Sequence, residues 1–372
     1  MKKHFHKIIL SIIILITLSA CSDPIFYTIM NEPRKLDPLI NGSPTNFVTA
    51  GDFIYVATGS NLFKFHNVAG DNYWLGANRP GGFIMQLAVA GSYLFALSDN
   101  GIVKYADHTS SSLFWNNLSG VDDVRSIYAI GNNLYIHARH DGVHKIIHVN
   151  AVNAGLAQTP LFEFNRNSEF IGAAGNSSGY YLCTKNGYYY STSASSFSTN
   201  NFSTLTNDYY MGIIQLATSN VVVAITREGK IHSLTQDQHV GGSVASFSDS
   251  RLATGALAVW IDGADHLLLA GRQDIGYSTN TGYTYGYVEI EFNSSGVFQE
   301  TTFRIPGLDV SEGKPSTVSS QNLYLSSIGK NPVNHIIQPK STGNTLIFAS
   351  TQKSGVWSYR ERHGKWQWNA EE

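Results

Sequence analysis

A forty-residue period runs through this 372-residue chain and restricts it to folds built by repetition. The segments Gly51-Asp-Phe-Ile-Tyr-Val-Ala-Thr58, Gly91-Ser-Tyr-Leu-Phe-Ala-Leu-Ser98 and Gly131-Asn-Asn-Leu-Tyr-Ile-His-Ala138 open 40 residues apart, and further copies open at Gly179, Asn220, Gly263 and Gly343. Before each opening stands an apolar run, as in Ile84–Ala90, Arg125–Ile130, Gly212–Ala217 and Ala256–Ile261. After the opening strand comes a turn with glycine, then a third apolar stretch such as Leu62–His66, Ile102–Tyr105, Tyr188–Tyr190 or Val356–Tyr359. Trp74, Trp115, Phe202, Tyr285 and Trp366 recur 22 to 24 residues after their openings, while Phe162 and Phe247 are displaced. Asn100-Gly101, Asp141-Gly142 and Asn186-Gly187 are hairpin signals, because the two-residue turn of that type needs positive φ at both positions.

Four short antiparallel strands repeated around a ring describe an all-β fold, a β-propeller of seven four-stranded blades. The near-continuous apolarity of the second strands fits sheets packed face to face with both faces buried. The interval from Gly263 to Gly343 is twice the period. Residues 287–333 therefore read either as an insertion in the sixth blade, with Tyr287–Phe292 and Phe298–Ile305 as an outer hairpin, or as an eighth blade. With 14% charged and 12% aromatic residues the chain has the opposite balance to a disordered one. A net charge of −2 supplies no basic footprint, so nucleic acid is not an expected partner. Two cysteines make neither a disulfide framework nor a tetracysteine zinc site.

Ahead of the repeats, Lys2, Lys3 and Lys7 flank the apolar run Ile8 to Leu18, too short for a bilayer-spanning helix of about 20 residues and suited to a signal peptide. The following Leu18-Ser19-Ala20-Cys21 resembles the bacterial lipobox. That resemblance implies cleavage after residue 20, lipidation of Cys21, a lipidated tether over residues 21–44 and a propeller over residues 45–369. The mature chain would carry 22 basic and 27 acidic residues, a net charge of −5. Ser22, where an Asp would resemble the enteric inner-membrane retention signal, favours the outer membrane. Ile25–Ile29 is a candidate extra strand to close the ring, and Cys183, the remaining thiol, sits in an apolar strand typical of inert core.

Ser278-Thr-Asn280-Thr-Gly282-Tyr-Thr284-Tyr285 resembles the Asp-box, with Asn280 in place of its Asp and Tyr285 in place of its Trp. The resemblance implies a structural turn between third and fourth strands and no activity of its own. Phe303-Arg304-Ile305-Pro306 is similar to the sialidase Arg-Ile-Pro motif, which implies a carboxylate-binding role for Arg304. In sialidases that motif precedes the Asp-boxes; here it follows the box, and no sequence context marks a second clamp arginine or a nucleophile. His137, His140, His144 and His148 crowd one hairpin. A two-residue His140-Asp141 turn would set His137 opposite His144, which makes this pair the candidate metal ligands. Glu289 and Glu291 share a strand face. No P-loop, dinucleotide fingerprint or EF-hand loop occurs, so no cofactor is expected.

Without a complete catalytic set, the expected function is that of a membrane-anchored binding or scaffold module in the cell envelope, with its partner an envelope or surface protein or a glycan. In layout the chain resembles the propeller lipoprotein of the outer-membrane barrel assembly machinery. The alternative is a sialidase-like glycan hydrolase using Arg304 with an acid such as Asp262 or Glu289.

Overall fold

The computed structural model describes residues 39–66, 73–152, 156–205, 208–216, 219–227, 230–234, 245–246, 257–261, 265–270, 287–292, 333–337, 339, 346–352, 354–362 and 365–371. They form seven antiparallel sheets in chain order. The first sheet is β1 (Val48–Ala50), β2 (Phe53–Thr58), β3 (Asn61–His66) and β4 (Trp74–Ala77). The second is β5 (Ile84–Ala90), β6 (Tyr93–Ser98), β7 (Val103–Asp107) and β8 (Asn116–Asn117). The third is β9 (Asp122–Ile130), β10 (Asn133–His140), β11 (Val143–Asn150) and β12 (Gln158–Glu163). The fourth is β13 (Phe170–Asn176), β14 (Gly179–Thr184), β15 (Gly187–Ser191) and β16 (Phe202–Thr204). The fifth is β17 (Tyr210–Gln215), β18 (Val222–Thr226), β19 (Lys230–Ser233) and β20 (Ala245–Ser246). The sixth is β21 (Leu257–Ile261), β22 (Asp265–Ala270) and β23 (Tyr287–Phe292). The last is β24 (Val333–Ile337), β25 (Ile347–Thr351), β26 (Val356–Arg362) and β27 (Lys365–Ala370).

Each repeat opening is followed by the second strand of a sheet. The apolarity of these strands has a direct cause: alternate residues pack against opposite neighbours. On β6, Leu94 and Ala96 face the first sheet while Phe95 and Leu97 face the third. On β10, Leu134, Ile136 and Ala138 join the second sheet and Tyr135 the fourth. On β14, Leu182 packs toward the third sheet and Tyr181 and Cys183 toward the fifth. The recurring aromatics fill the outer end of the same seams. Trp74 meets Phe348 of the last sheet edge-on with ring centroids 5.1 Å apart, and Phe162 stacks on Tyr189 at 4.5 Å.

The ring closes through the N-terminal residues. Leu39 N donates to Glu371 O, Val356 N to Ile40 O and Gly355 N to Gly42 O, and the Ser43 hydroxyl donates to Gln352 O. Ile40 is fully buried among Phe47, Val56, Phe348 and Val356. Residues 39–43, the end of the segment read as a tether, are thus stitched to the last sheet. The earlier part of that segment, with the Ile25–Ile29 strand, lies outside the described residues.

Two expectations are corrected. Six sheets have four strands, and the sixth holds three among the described residues, where seven complete blades were expected. Its third strand is β23, which pairs with β22 in register Leu267↔Ile290 and Leu269↔Val288. A 16-residue connection, 271–286, separates the paired strands, so the short hairpin of the other repeats is a poor guide there. The hairpin turns also divide. Asp141-Gly142 has φ of 52° and 79°, as the two-residue type requires, but in Asn100-Gly101 only Gly101 (φ 74°) is positive. There Gly101 N donates to Ser98 O, and the Asn100 carboxamide oxygen accepts from Ser98 Oγ and Ile102 N. Gly187 is already the first residue of β15, so Lys185-Asn186 forms that turn.

Candidate functional site

The innermost strands share an irregularity that shapes the centre of the ring. On β5, β13, β17 and β24 the register shifts one residue after the strand begins, between Ile84 and Gln86, Phe170 and Gly172, Tyr210 and Gly212, and Val333 and His335. A bulge re-aims the extra residue. The preceding Ile84, Phe170, Tyr210 and Val333 are buried between sheets, while the bulged Met85, Ile171, Met211 and Asn334 line a central cavity of about 760 Å³. On β9 the break is larger: Asp123, Val124 and Arg125 oppose the single Ala138, with Asp123 at φ 48° and Arg125 reaching the cavity.

Side-chain amides bridge the inner edges of the first three sheets. Asn46 Nδ2 donates to Leu87 O at 2.8 Å and its oxygen accepts from Leu87 N at 2.9 Å. One sheet later, Gln86 Nε2 donates to Ile127 O at 2.6 Å and its oxygen accepts from Ile127 N at 3.0 Å. Each amide thus occupies backbone groups that would otherwise be an unpaired strand edge. Burial, with the Glu169 charge adding, pushes the Tyr128 phenol above its ordinary pKa.

One end of the ring carries the hairpin turns and the loops that enter the inner strands, tied by backbone bonds from Asp99 N to Phe83 O, Val124 N to Gly101 O, Lys185 N to Glu169 O and Arg227 N to Tyr209 O. Large apolar side chains remain exposed there: Phe83 at 50%, Met85 at 55%, and also Ile102, Val143 and Tyr209. Charges of both signs are interleaved with them. Arg139 reaches Asp122 at 3.1 Å, Asp123 lies 3.7 Å from Arg125, and Lys185 lies 3.6 Å from Glu169 and 5.2 Å over the Tyr209 ring. A second cavity, about 650 Å³, lies on the outer side between β4 and the loop before β8, lined by Arg79, Phe114 and Trp115 among others.

The histidine hairpin sits at the same end. Its turn is Asp141-Gly142 rather than His140-Asp141, so Arg139 opposes His144 and His137 opposes Ile146. The two imidazoles are diagonal neighbours on one face, with ring centroids 5.4 Å apart. Phe164 packs edge-on against His137 at 4.7 Å. Burial, helped by His144 and Arg125, pushes the His137 pKa down to about 4 against the opposing pull of Asp123; burial also lowers His144. Among the described residues no group of three or more His, Cys, Asp or Glu converges as a metal cluster.

The remaining sequence candidates are scattered. Cys21, the Ser278, Asn280, Gly282, Thr284 and Tyr285 segment, Arg304 and Asp262 lie outside the described residues. Glu289 and Glu291 are on β23, paired with Leu268 and His266. Cys183 is free and fully buried, and burial raises its thiol pKa. Sequence reasoning missed the cavity residues. Their signal is a buried apolar residue followed by one residue and then Gln, Gly or His at the entry of an inner strand, a break in alternation easily taken for a loop end.

No family model matches the chain, and no curated protein matches it. Among solved structures it is similar to the β-propeller domain of Myceliophteria thermophila Cps50 (Swd1), at 10% identity and a TM-score of 0.55, over 88% of this chain and 99% of that one. It is similar to the extracellular domain of a putative one-component system from B. thetaiotaomicron, at 13% identity and a TM-score of 0.53 over 88% of this chain; it spans only 40% of that domain. YCF48 bound to D1 peptide matches at 13% identity and a TM-score of 0.52, over 88% of this chain and 96% of that one. Identities this low speak to architecture, and together with the ring of sheets they establish that the chain is a β-propeller.

Proposed function

We propose that this propeller is an exported, lipid-anchored binding module that holds a protein partner across its turn-bearing end, over the mouth of the central cavity. The observation that carries the reading is the set of exposed Phe83, Met85, Ile102, Val143 and Tyr209 at that end, interleaved with Arg125, Arg139, Glu169 and Lys185. Apolar anchors within a polar surround, on a scaffold held rigid by packed sheets, are what a protein interface requires. Methionines at the rim adapt to the partner's shape. The peptide-bound YCF48 and the extracellular bacterial domain among the similar folds support binding and export as the setting. Export and anchoring rest on the leader and Cys21, and an outer-membrane position on Ser22.

The test is crosslinking of C-terminally tagged full chain in its native envelope, followed by capture, with Phe83→Glu and Met85→Glu beside the wild type. A membrane or surface protein held by the wild type and lost from both variants supports the reading. Equal capture by the variants refutes the assigned face, and retention on a glycan array without any protein partner refutes the protein-binding reading. Intact-mass measurement tests the anchor separately: the mature chain should begin at Cys21 with acyl mass added, and Cys21→Ser should remain uncut.

A further inference from the structure

Of the four histidines on the β10–β11 hairpin, two have partners that account for them. His140 Nδ1 lies 2.8 Å from Gly120 O and its Nε2 lies 3.4 Å from the Asp141 carboxylate, while His148 Nε2 lies 2.8 Å from Asn133 Oδ1. The other two do not. His137, 1% exposed, has a buried Nε2 without a hydrogen-bond partner, and His144, 9% exposed, has a buried Nδ1 in the same condition. Buried polar atoms are nearly always satisfied, so each exception calls for a missing partner. Here the two exceptions belong to neighbouring rings, with centroids 5.4 Å apart and Phe164 packed against His137.

We propose that His137 Nε2 and His144 Nδ1 bind one divalent cation of the zinc type. The ring separation fits. A cation about 2.0–2.1 Å from each imidazole nitrogen, at a tetrahedral angle, sets the ring centroids about 5.2 Å apart; the observed separation is 5.4 Å. The outer contact of His144 fits as well. Its Nε2 faces Asp123 Oδ2 at 3.4 Å, and a carboxylate on the far nitrogen holds the proton there and leaves the near nitrogen free to ligate. Asp123 is placed for this by its left-handed φ of 48° and by Arg125 at 3.7 Å. The two nitrogens supply two positions of a tetrahedral shell, within a seam that is buried around both rings.

The full chain, purified in detergent and stripped with chelator, is titrated with zinc chloride by calorimetry, with magnesium chloride as the control and cobalt absorbance reporting the ligand field. Wild type should take up one equivalent of zinc and no magnesium. His137→Phe and His144→Phe keep a ring in place and should each weaken zinc about tenfold or more; Asp123→Asn, at the surface, should weaken it about ten- to a hundredfold. His148→Gln should leave zinc affinity unchanged. If a phenylalanine variant does not fold, Asp123→Asn decides the matter. Wild type that takes up no zinc, or zinc binding undiminished by these replacements, overturns the proposal and leaves the two nitrogens to a bridging water.

Discussion

Replacing Gln86 tests how the ring holds its sheets together. Its amide makes two hydrogen bonds across the seam, at 2.6 and 3.0 Å, to both backbone groups of Ile127. Gln86→Met keeps the unbranched stem and removes both. Each such bond contributes about 0.5–1.5 kcal/mol net, so the loss should be about 1–3 kcal/mol, toward the lower end because the seam borders a cavity where water can replace the amide. In domains of about 150–250 residues each kcal/mol moves Tm by about 2–4 °C, and this longer chain should shift by about 2–6 °C. Urea unfolding should show a lower midpoint with unchanged slope, since the surface exposed on unfolding is the same. Gln86→Glu sharpens the test. At pH 7 one carboxylate oxygen still accepts from Ile127 N, but the other confronts Ile127 O with no proton between them. Folding therefore raises that carboxyl's pKa above its unfolded value of about 4.3. The stability gained by protonation is fully present below that value and lost as pH rises through the folded pKa. Gln86→Glu should thus lie closer to wild type at pH 4 than at pH 7. A change below about 0.5 kcal/mol in Gln86→Met, or a Gln86→Glu deficit that does not grow with pH, refutes the account.

Four further outcomes follow from the packing. Gly187→Ala would put a Cβ 2.1 Å from Ser203 O and 2.6 Å from the Phe202 ring, so it should cost about 1–3 kcal/mol in thermal or urea unfolding. Ile40→Ala removes a fully buried side chain from the closing seam and should cost about 2–5 kcal/mol by the same assays. Cys183, buried with its thiol pKa raised by burial, should resist alkylation at pH 8 in the native state and react promptly in urea. Burial lowers the His148 pKa, so its stabilising effect is present above the unfolded value of about 6.5 and is lost as pH falls through the folded value. His148→Gln should flatten the dependence of unfolding free energy on pH below about 6.5.

The second strands and the first turns were legible because their causes are local. Leu94-Phe-Ala-Leu97 is apolar throughout since its residues face two neighbouring sheets in turn. Asp141-Gly142 announces its own left-handed backbone. Signals weakened wherever pairing was distant or a register choice turned on one residue. Tyr287–Phe292 reads as a strand, but nothing in its neighbourhood says that its partner lies across the 271–286 connection. A hairpin shifted by one residue exchanges the partner of His144 from His137 to Arg139. The cavity residues were illegible for a related reason: Met85, Ile171, Met211 and Asn334 become neighbours only when separate sheets are arranged around a centre.

The sequence by itself determined a repeated, four-strand β unit that cannot bury its own faces and must stack. Residue alternation and turn-forming glycines are properties of a few consecutive positions. Tertiary structure alone decided that Gln86 meets Ile127, that residues 39–43 close the ring against Val356, and that His137 and His144 share a seam. Each of these depends on bringing strands together at a particular bulge or register, and the free energy of that arrangement belongs to the closed ring rather than to any one segment.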